Sequence, residues 1–222
     1  MPRYFLGCMH EQYHPRKLLE QAVAGERAGF DGIACSDHFQ PWWEPGHSGQ
    51  AWVWLGAAAE ATDRIPVGPA VTVALKRYHP ALIAQGFATL EAMYPGRVFV
   101  GLGSGESLNE SPFGLDWPSP HDQLVALEEA CGLIRRLWDG ERVDHGGPFF
   151  KTKGARTFTP VPSGLRRSTS PPSTQEPRRQ RDDTAMVSGR RLGRGVEGAV
   201  HRLGPPRRAR RADPGAFADR RW

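Results

Sequence analysis

Short apolar runs alternate with segments of helical periodicity along roughly the first 150 residues. Tyr4-Phe5-Leu6-Gly7-Cys8 is brief and uncharged, as a strand is, and the polar loop Met9–His14 follows it. Pro15 suits a first helical turn, where its missing N–H would have no partner anyway. Leu18, Leu19, Ala22, Val23 and Ala24 then recur at helical spacing until Gly29 stops the helix. Gly32-Ile33-Ala34-Cys35 reads as a second, buried strand. The rhythm continues with a helix over Ala51–Thr62, an irregular strand over Ile65–Val73, a helix opened by Pro80 and running to Met93, and a strand over Arg97–Leu102.

His121–Trp138 is the clearest amphipathic helix, with Leu124, Leu127, Cys131, Ile134, Leu137 and Trp138 on one stripe. After it, Asp139–Phe150 reads as a hairpin with Val143 and Phe149-Phe150 on its strands and Gly146-Gly147 at its turn. Four strand-helix units in succession predict a parallel sheet covered by helices. Right-handed crossovers wind such units into part of a (β/α)8 barrel or into an open doubly wound sheet.

Composition divides the chain near Pro160. Residues 1–160 hold 14 Lys+Arg against 18 Asp+Glu, whereas residues 161–222 hold 15 Arg, no Lys and 6 Asp+Glu. The net charge of +5 therefore describes neither part, and the basic residues do not mark a folded nucleic-acid surface. Residues 161–222 are rich in Pro, Ser, Gly and Arg without apolar periodicity, which predicts a disordered basic tail. Its one alternative role is charge-driven nucleic-acid binding. Cys8, Cys35 and Cys131 fit no zinc or disulfide spacing, and there is no HxH or HExxH pair, so no metal site is expected. The chain also lacks an apolar stretch of about 18 residues, and a soluble cytoplasmic protein is expected.

Candidate chemistry collects at two strand ends. The second strand exits into Ser36-Asp37-His38-Phe39-Gln40-Pro41-Trp42, which places an acid, an imidazole and an indole where α/β folds set their reactive groups. The fourth exits into Gly101-Leu102-Gly103-Ser104-Gly105-Glu106-Ser107-Leu108-Asn109-Glu110. Its glycines let backbone N–H groups approach a ligand, with Glu106 and Asn109 as a proton donor and an amide contact. This glycine pattern is neither a dinucleotide fingerprint nor a phosphate loop. His38 and Glu106 on one barrel face, one strand apart, could share a ligand, with the apolar end of the third strand as a wall for a flat ring. Cys35 near His38 suggests a thiol nucleophile, but burial in a strand argues against it. His10, His14, His47, His79, His121 and His145 read as structural or solvated.

Four ordered motifs carry a resemblance: Ser36–Trp42; Arg77-Tyr78-His79-Pro80 leading into Ala84–Leu90; Tyr94–Gly101; and Gly103–Glu110. From about Leu6 to Lys153 the chain resembles coenzyme F420-dependent oxidoreductases of the bacterial-luciferase-like superfamily. The resemblance implies a (β/α)8 barrel, here its N-terminal half, with the deazaflavin at the carboxyl ends of the strands and hydride exchange with a substrate carbinol carbon. It implies His38 as the active-site histidine, Glu106 as the catalytic acid and Trp42 as the residue holding the active-site charge. Asp37, Ser104, Gly105 and Asn109 match cofactor contacts. Val73 stands where relatives carry a cofactor-touching threonine, and Ala70-Val71 matches a non-proline cis peptide. The resemblance further implies a sugar-phosphate or alcohol substrate and a homodimeric full-length protein. FMN is the alternative cofactor, in a luciferase-like monooxygenase.

The resemblance stops after Thr152–Arg156, with about half of a barrel's usual ~250 residues present. With GC-rich codons and a one-base shift, Arg166–Arg179 reads PPIYVSAFHPGAAA and Gln180–Ser188, with the first two bases of the Gly189 codon, reads AAGRYGDGVW, which resemble the family's fifth strand and cofactor phosphate loop. A change of frame between about Arg156 and Arg166 is therefore expected. The 222-residue chain is then an inactive or poorly folded fragment whose open sheet edge favours aggregation. The change lies in the gene or in its sequencing, and sequencing the locus again separates the two: a corrected frame places it in the sequencing, and an unchanged frame with a stable soluble 222-residue product excludes a sequencing error.

Overall fold

The computed structural model describes residues 2–114 and 116–161; the predicted tail, 161–222, lies outside the described residues except for Val161. β1 (Phe5–Cys8) leads through α1 (Pro15–Arg27) to β2 (Gly32–Cys35), and α2 (Ala51–Glu60) leads to β3 (Val67–Pro69) and β4 (Thr72–Val73). α3 (Pro80–Met93) then connects to β5 (Leu102–Gly103). A short α4 (Ser107–Glu110), a 3-10 turn (Ser111–Phe113), α5 (Pro120–Trp138) and a β6 (Val143–Gly146) to β7 (Lys151–Ala155) hairpin complete the described chain.

β1, β2 and β3 pair in parallel in sequence order, as do β4 and β5, whereas β6 and β7 pair antiparallel. Phe5 lies beside Gly32 and Cys8 beside Cys35, Ile33 beside Val67, and Thr72 beside Leu102. Among the described residues the parallel strands show no reversal of order, so they advance in one direction as in a barrel rather than outward from a switch point. The third predicted strand is split at Ala70-Val71, a cis peptide, the one the resemblance implies. The fourth is thinner than expected. Residues 97–103 run alongside, with Val67 N–H donating to Arg97 O and Phe99 N–H to Val67 O, then Thr72 N–H to Gly101 O, but regular pairing is confined to Leu102–Gly103. Gly68 lets this crossing happen, since a Cβ there would collide with Phe99 O.

Helix starts follow local chemistry. Pro15, Pro80 and Pro120 occupy first turns, while the side chains of His14, His79 and Ser119 accept from Arg16, Ala81 and Asp122 N–H. Two of the unassigned histidines are therefore helix caps. The stripe predicted for α5 is rotated: Leu124 is exposed, and Ala126, Ala130, Leu133, Ile134, Leu137 and Trp138 are buried. Small Ala126 and Ala130 allow close approach, and Trp138 Nε1–H donates to Ala84 O of α3 at 2.9 Å. The hairpin is also displaced, with Lys151–Ala155 rather than Phe149-Phe150 forming its second strand. The carboxylate of Glu129 holds Phe149 and Phe150 N–H in the connection.

Glu26 fastens the far end of the sheet. Its carboxylate accepts from the N–H groups of Asp63, Arg64 and Ile65 at 3.0, 2.8 and 2.8 Å, ahead of β3. Burial pushes its carboxyl up, but these three donors outweigh that and hold it below the ordinary value. A carboxyl lowered on folding adds stability above its unfolded pKa, and that stability is lost as pH falls through the folded value. Glu26→Gln should cost about 1–3 kcal/mol in urea unfolding at neutral pH. The difference from wild type should shrink as pH falls below about 4.

Candidate functional site

Every chemistry-bearing residue predicted from the sequence sits at the carboxyl end of the parallel strands. His38 leaves β2, and Glu106 follows β5 as the cap of α4. His38 Nε2 and Glu106 Oε2 are 4.0 Å apart. Trp42 joins them: its ring meets His38 edge-on at 5.1 Å, and its Nε1–H donates to Glu106 Oε2 at 3.3 Å. Glu106 is 53% exposed and His38 15%. The pair thus faces outward from a firm floor.

That floor is Glu11, which carried no role in the sequence reading. Its buried carboxylate lies 2.8 Å from His38 Nδ1 and accepts the Ser36 hydroxyl at 2.6 Å. Burial pushes the Glu11 carboxyl up, but the hydrogen bonds from His38 and Ser36 prevail and set it below the usual range. An ionised carboxylate only accepts, so Nδ1 must carry a proton. In the neutral imidazole this leaves Nε2 bare and directed toward Glu106, ready to accept a proton.

Asp37 is 2% exposed and turned inward. Oδ2 accepts the Thr72 hydroxyl, and Oδ1 accepts Arg77 Nη1–H at 3.2 Å and the Tyr78 hydroxyl at 3.4 Å. A ligand contact by this carboxylate would have to compete with those partners. Asn109 is likewise buried, its Oδ1 accepting Phe39 N–H at 2.7 Å and Gln40 N–H at 3.3 Å. Arg77 and Glu110, also unassigned from sequence, form an ion pair with Nε to Oε1 at 3.5 Å. Val73, Ser104 and Gly105 meet across β4 and the β5 exit. Gly105 has φ +92°, and a Cβ there would lie 2.9 Å from Val73 Cγ1, so both backbone and packing demand glycine. Cys35 is no nucleophile: burial raises its thiol well above the ordinary value, and pushes neighbouring Cys8 up to about 12.

The rim has the character of a seat for a flat ring with a polar edge. Val71, exposed and apolar, packs against Gly103, where a Cβ would fill the space its side chain occupies. Half-exposed Trp42 and Phe39 follow the β2 exit, Trp42 against His38 and Phe39 against Phe113. These residues fit a planar heterocycle. Two cavities of about 280 and 230 Å³ lie elsewhere, lined by residues such as Leu82, Leu137 and Phe158, and contain none of this chemistry.

Residues 4–173 match the family model described as luciferase-like monooxygenase. The chain is 47% identical over 150 residues to an F420-dependent glucose-6-phosphate dehydrogenase of Segniliparus rotundus, covering 67% of this chain and 45% of the relative. It is 43% identical over 193 residues to one of Nakamurella multipartita, covering 85% and 57%. A solved F420-dependent secondary alcohol dehydrogenase, in complex with an F420-acetone adduct, superposes with a TM-score of 0.72 at 39% identity, covering 73% of this chain and 50% of that one. A coenzyme F420-dependent tetrahydromethanopterin reductase of Methanopyrus kandleri shares the fold, with a TM-score of 0.61 at 22% identity over 72% and 46% of the two chains. The chain spans about half the length of the curated relatives it matches.

Glu11→Ala should leave the fold in place but release the His38 ring. Nitrogen-15 NMR of the imidazole should then show a mixture of the two neutral tautomers where the wild type shows one; an unchanged spectrum would deny Glu11 its orienting role.

Proposed function

The chain belongs to the luciferase-like monooxygenase family, and from that premise we propose that its strand-end lip serves hydride exchange between a substrate carbinol carbon and coenzyme F420. When bound, the deazaflavin would supply a carbon centre able to accept or give two electrons as a hydride. The carrying observation is the His38–Glu106 pair, 4.0 Å apart, with His38 clamped from behind by Glu11. As the carbinol loses hydride, its hydroxyl proton has a base in His38 Nε2. Glu106, held by the Trp42 indole N–H, is the second proton carrier. Two distinct carriers let proton movements accompany a hydride without a charged intermediate facing bulk water.

Val71, Val73, Ser104 and Gly105 form the ring-side wall in this reading. Asp37 and Asn109 contribute by fixing the loops that present it. The relatives' names favour F420 over FMN, the alternative cofactor of a monooxygenase on the same fold. A sugar phosphate or an alcohol is the substrate class. Turnover is assigned to the frame-restored protein, a homodimer in the cytoplasm, and not to the 222-residue chain. Among the described residues no helix is long and apolar enough to cross a membrane. The alternative of a basic, nucleic-acid-binding tail concerns residues outside the described ones.

Titrating the frame-restored protein with F420 should perturb deazaflavin fluorescence at concentrations where FMN binds poorly. His38→Ala and Glu106→Gln should each lower kcat by about 10²–10⁴-fold. Preferential FMN binding with oxygen-dependent turnover would overturn the F420 reading, and F420 turnover by the unaltered 222-residue chain would overturn the assignment of activity to the frame-restored protein alone.

A further inference from the structure

Glu106, Asn109 and Glu110 stand at spacing i, i+3, i+4 on the single turn of α4, with Glu106 as its cap. That spacing puts the three side chains on one face, and all three are used against the preceding loops. Glu106 receives the Trp42 indole N–H. Asn109 Oδ1 receives the N–H groups of Phe39 and Gln40, the two residues that follow His38. Glu110 receives Arg77 N–H at 2.9 Å through Oε2, and its Oε1 pairs with Arg77 Nε at 3.5 Å.

Arg77 closes the figure. Its Nη1 reaches Asp37 Oδ1 at 3.2 Å, and its Nη2 donates to Asp37 O at 2.7 Å, directly before His38. Asp37, Arg77 and Glu110 have side chains 2, 6 and 1% exposed, so water offers them no substitute partners. One guanidinium thus grips the backbone on the near side of His38 and, through α4, the turn that begins with Glu106. Asn109 grips the far side of His38 from that same turn. The 4.0 Å approach of His38 to Glu106 is the free end of this bracket, because Glu106 itself is more than half exposed and has a single long hydrogen bond to hold it.

We propose that Arg77 and Glu110 are positioning residues for Glu106, acting through the α4 turn and the Asp37 carbonyl to set the acid against Trp42 and His38. Neither faces a ligand. Lysine cannot replace Arg77, because two separated acceptors on Asp37 and the Glu110 carboxylate need donors spread over a planar fork, which one ammonium does not supply. The inference deepens the functional reading above, yet it concerns geometry present without cofactor or substrate and is tested apart from them.

The full 222-residue chain carries its own reporters. The Trp42 indole N–H resonance reads the contact to Glu106, while that of Trp138, bonded to Ala84 O, reads the core. Glu106→Ala defines the Trp42 position when the acid is missing, and Trp42→Phe assigns the peak. Glu110→Gln and Arg77→Lys should each move the Trp42 resonance toward its Glu106→Ala position while Trp138 stays where it is. A merely structural role predicts the opposite: a lower melting temperature with Trp42 unmoved, or both indoles shifted together, and either result overturns the proposal. Where Arg77→Lys fails to fold, Glu110→Gln with Asn109→Ser decides the matter by the same two peaks. If the frame-restored protein proves unable to reduce F420 while these shifts occur, the functional reading fails and the bracket stands.

Discussion

A guanidinium shut away from water holds the described part of this molecule to its chemistry. Arg77 lies between Asp37 and Glu110, and two carboxylates against one cation leave a formal negative charge buried. The deficit is met by neutral donors: the Thr72 and Tyr78 hydroxyls on Asp37, and the Arg77 backbone N–H on Glu110. A buried ion pair adds little stability over a well-packed apolar substitute, but removing one member strands the other and costs about 3–5 kcal/mol. Its value is geometric. The exits of β2, β4 and β5 become one body, so that residues about 70 positions apart in sequence meet with fixed separation.

Four carboxylates show how environment assigns work. Glu26 is spent on three backbone N–H groups. Glu11 is spent on Ser36 and His38, and Glu110 on Arg77. Each is buried and engaged by partners inside the fold. Glu106 is the exception, since a single indole touches it and its other faces are open. It is the member of this set free to exchange a proton without dismantling a loop.

The sheet order and the helix starts were legible because proline, glycine and apolar spacing act within a few residues. The breaks at Ala70-Val71 and the rotated face of α5 were not, as both depend on what lies opposite: a crossing strand in one case, α3 in the other. For the site, His38 and Glu106 were visible as polar groups interrupting apolar runs at strand ends. Glu11, Arg77 and Glu110 were printed in the same stretches but their partners lie 27 to 40 positions away, and nothing local distinguishes a buried charge from a solvated one. The spacing of Glu106, Asn109 and Glu110 was the available clue. It was hidden because Gly103-Ser104-Gly105 reads as a turn, and a helix of one turn has no periodicity to detect.

A lip that positions its proton carriers well can still be weak as a catalyst. At 4 Å, opposite unit charges attract by about 1 kcal/mol in water and about 4 kcal/mol at the effective dielectric of a protein surface. Once His38 Nε2 has taken a proton, such a pair with Glu106, 53% exposed, lies toward the first limit. A second wall facing Val71 and Trp42 would do more than add contacts to a ligand. By excluding water it would strengthen the pull between these groups without moving any of them. Under the proposed reading the described residues supply the orientation that hydride and proton transfer require, and the strength of that chemistry rests on what encloses them.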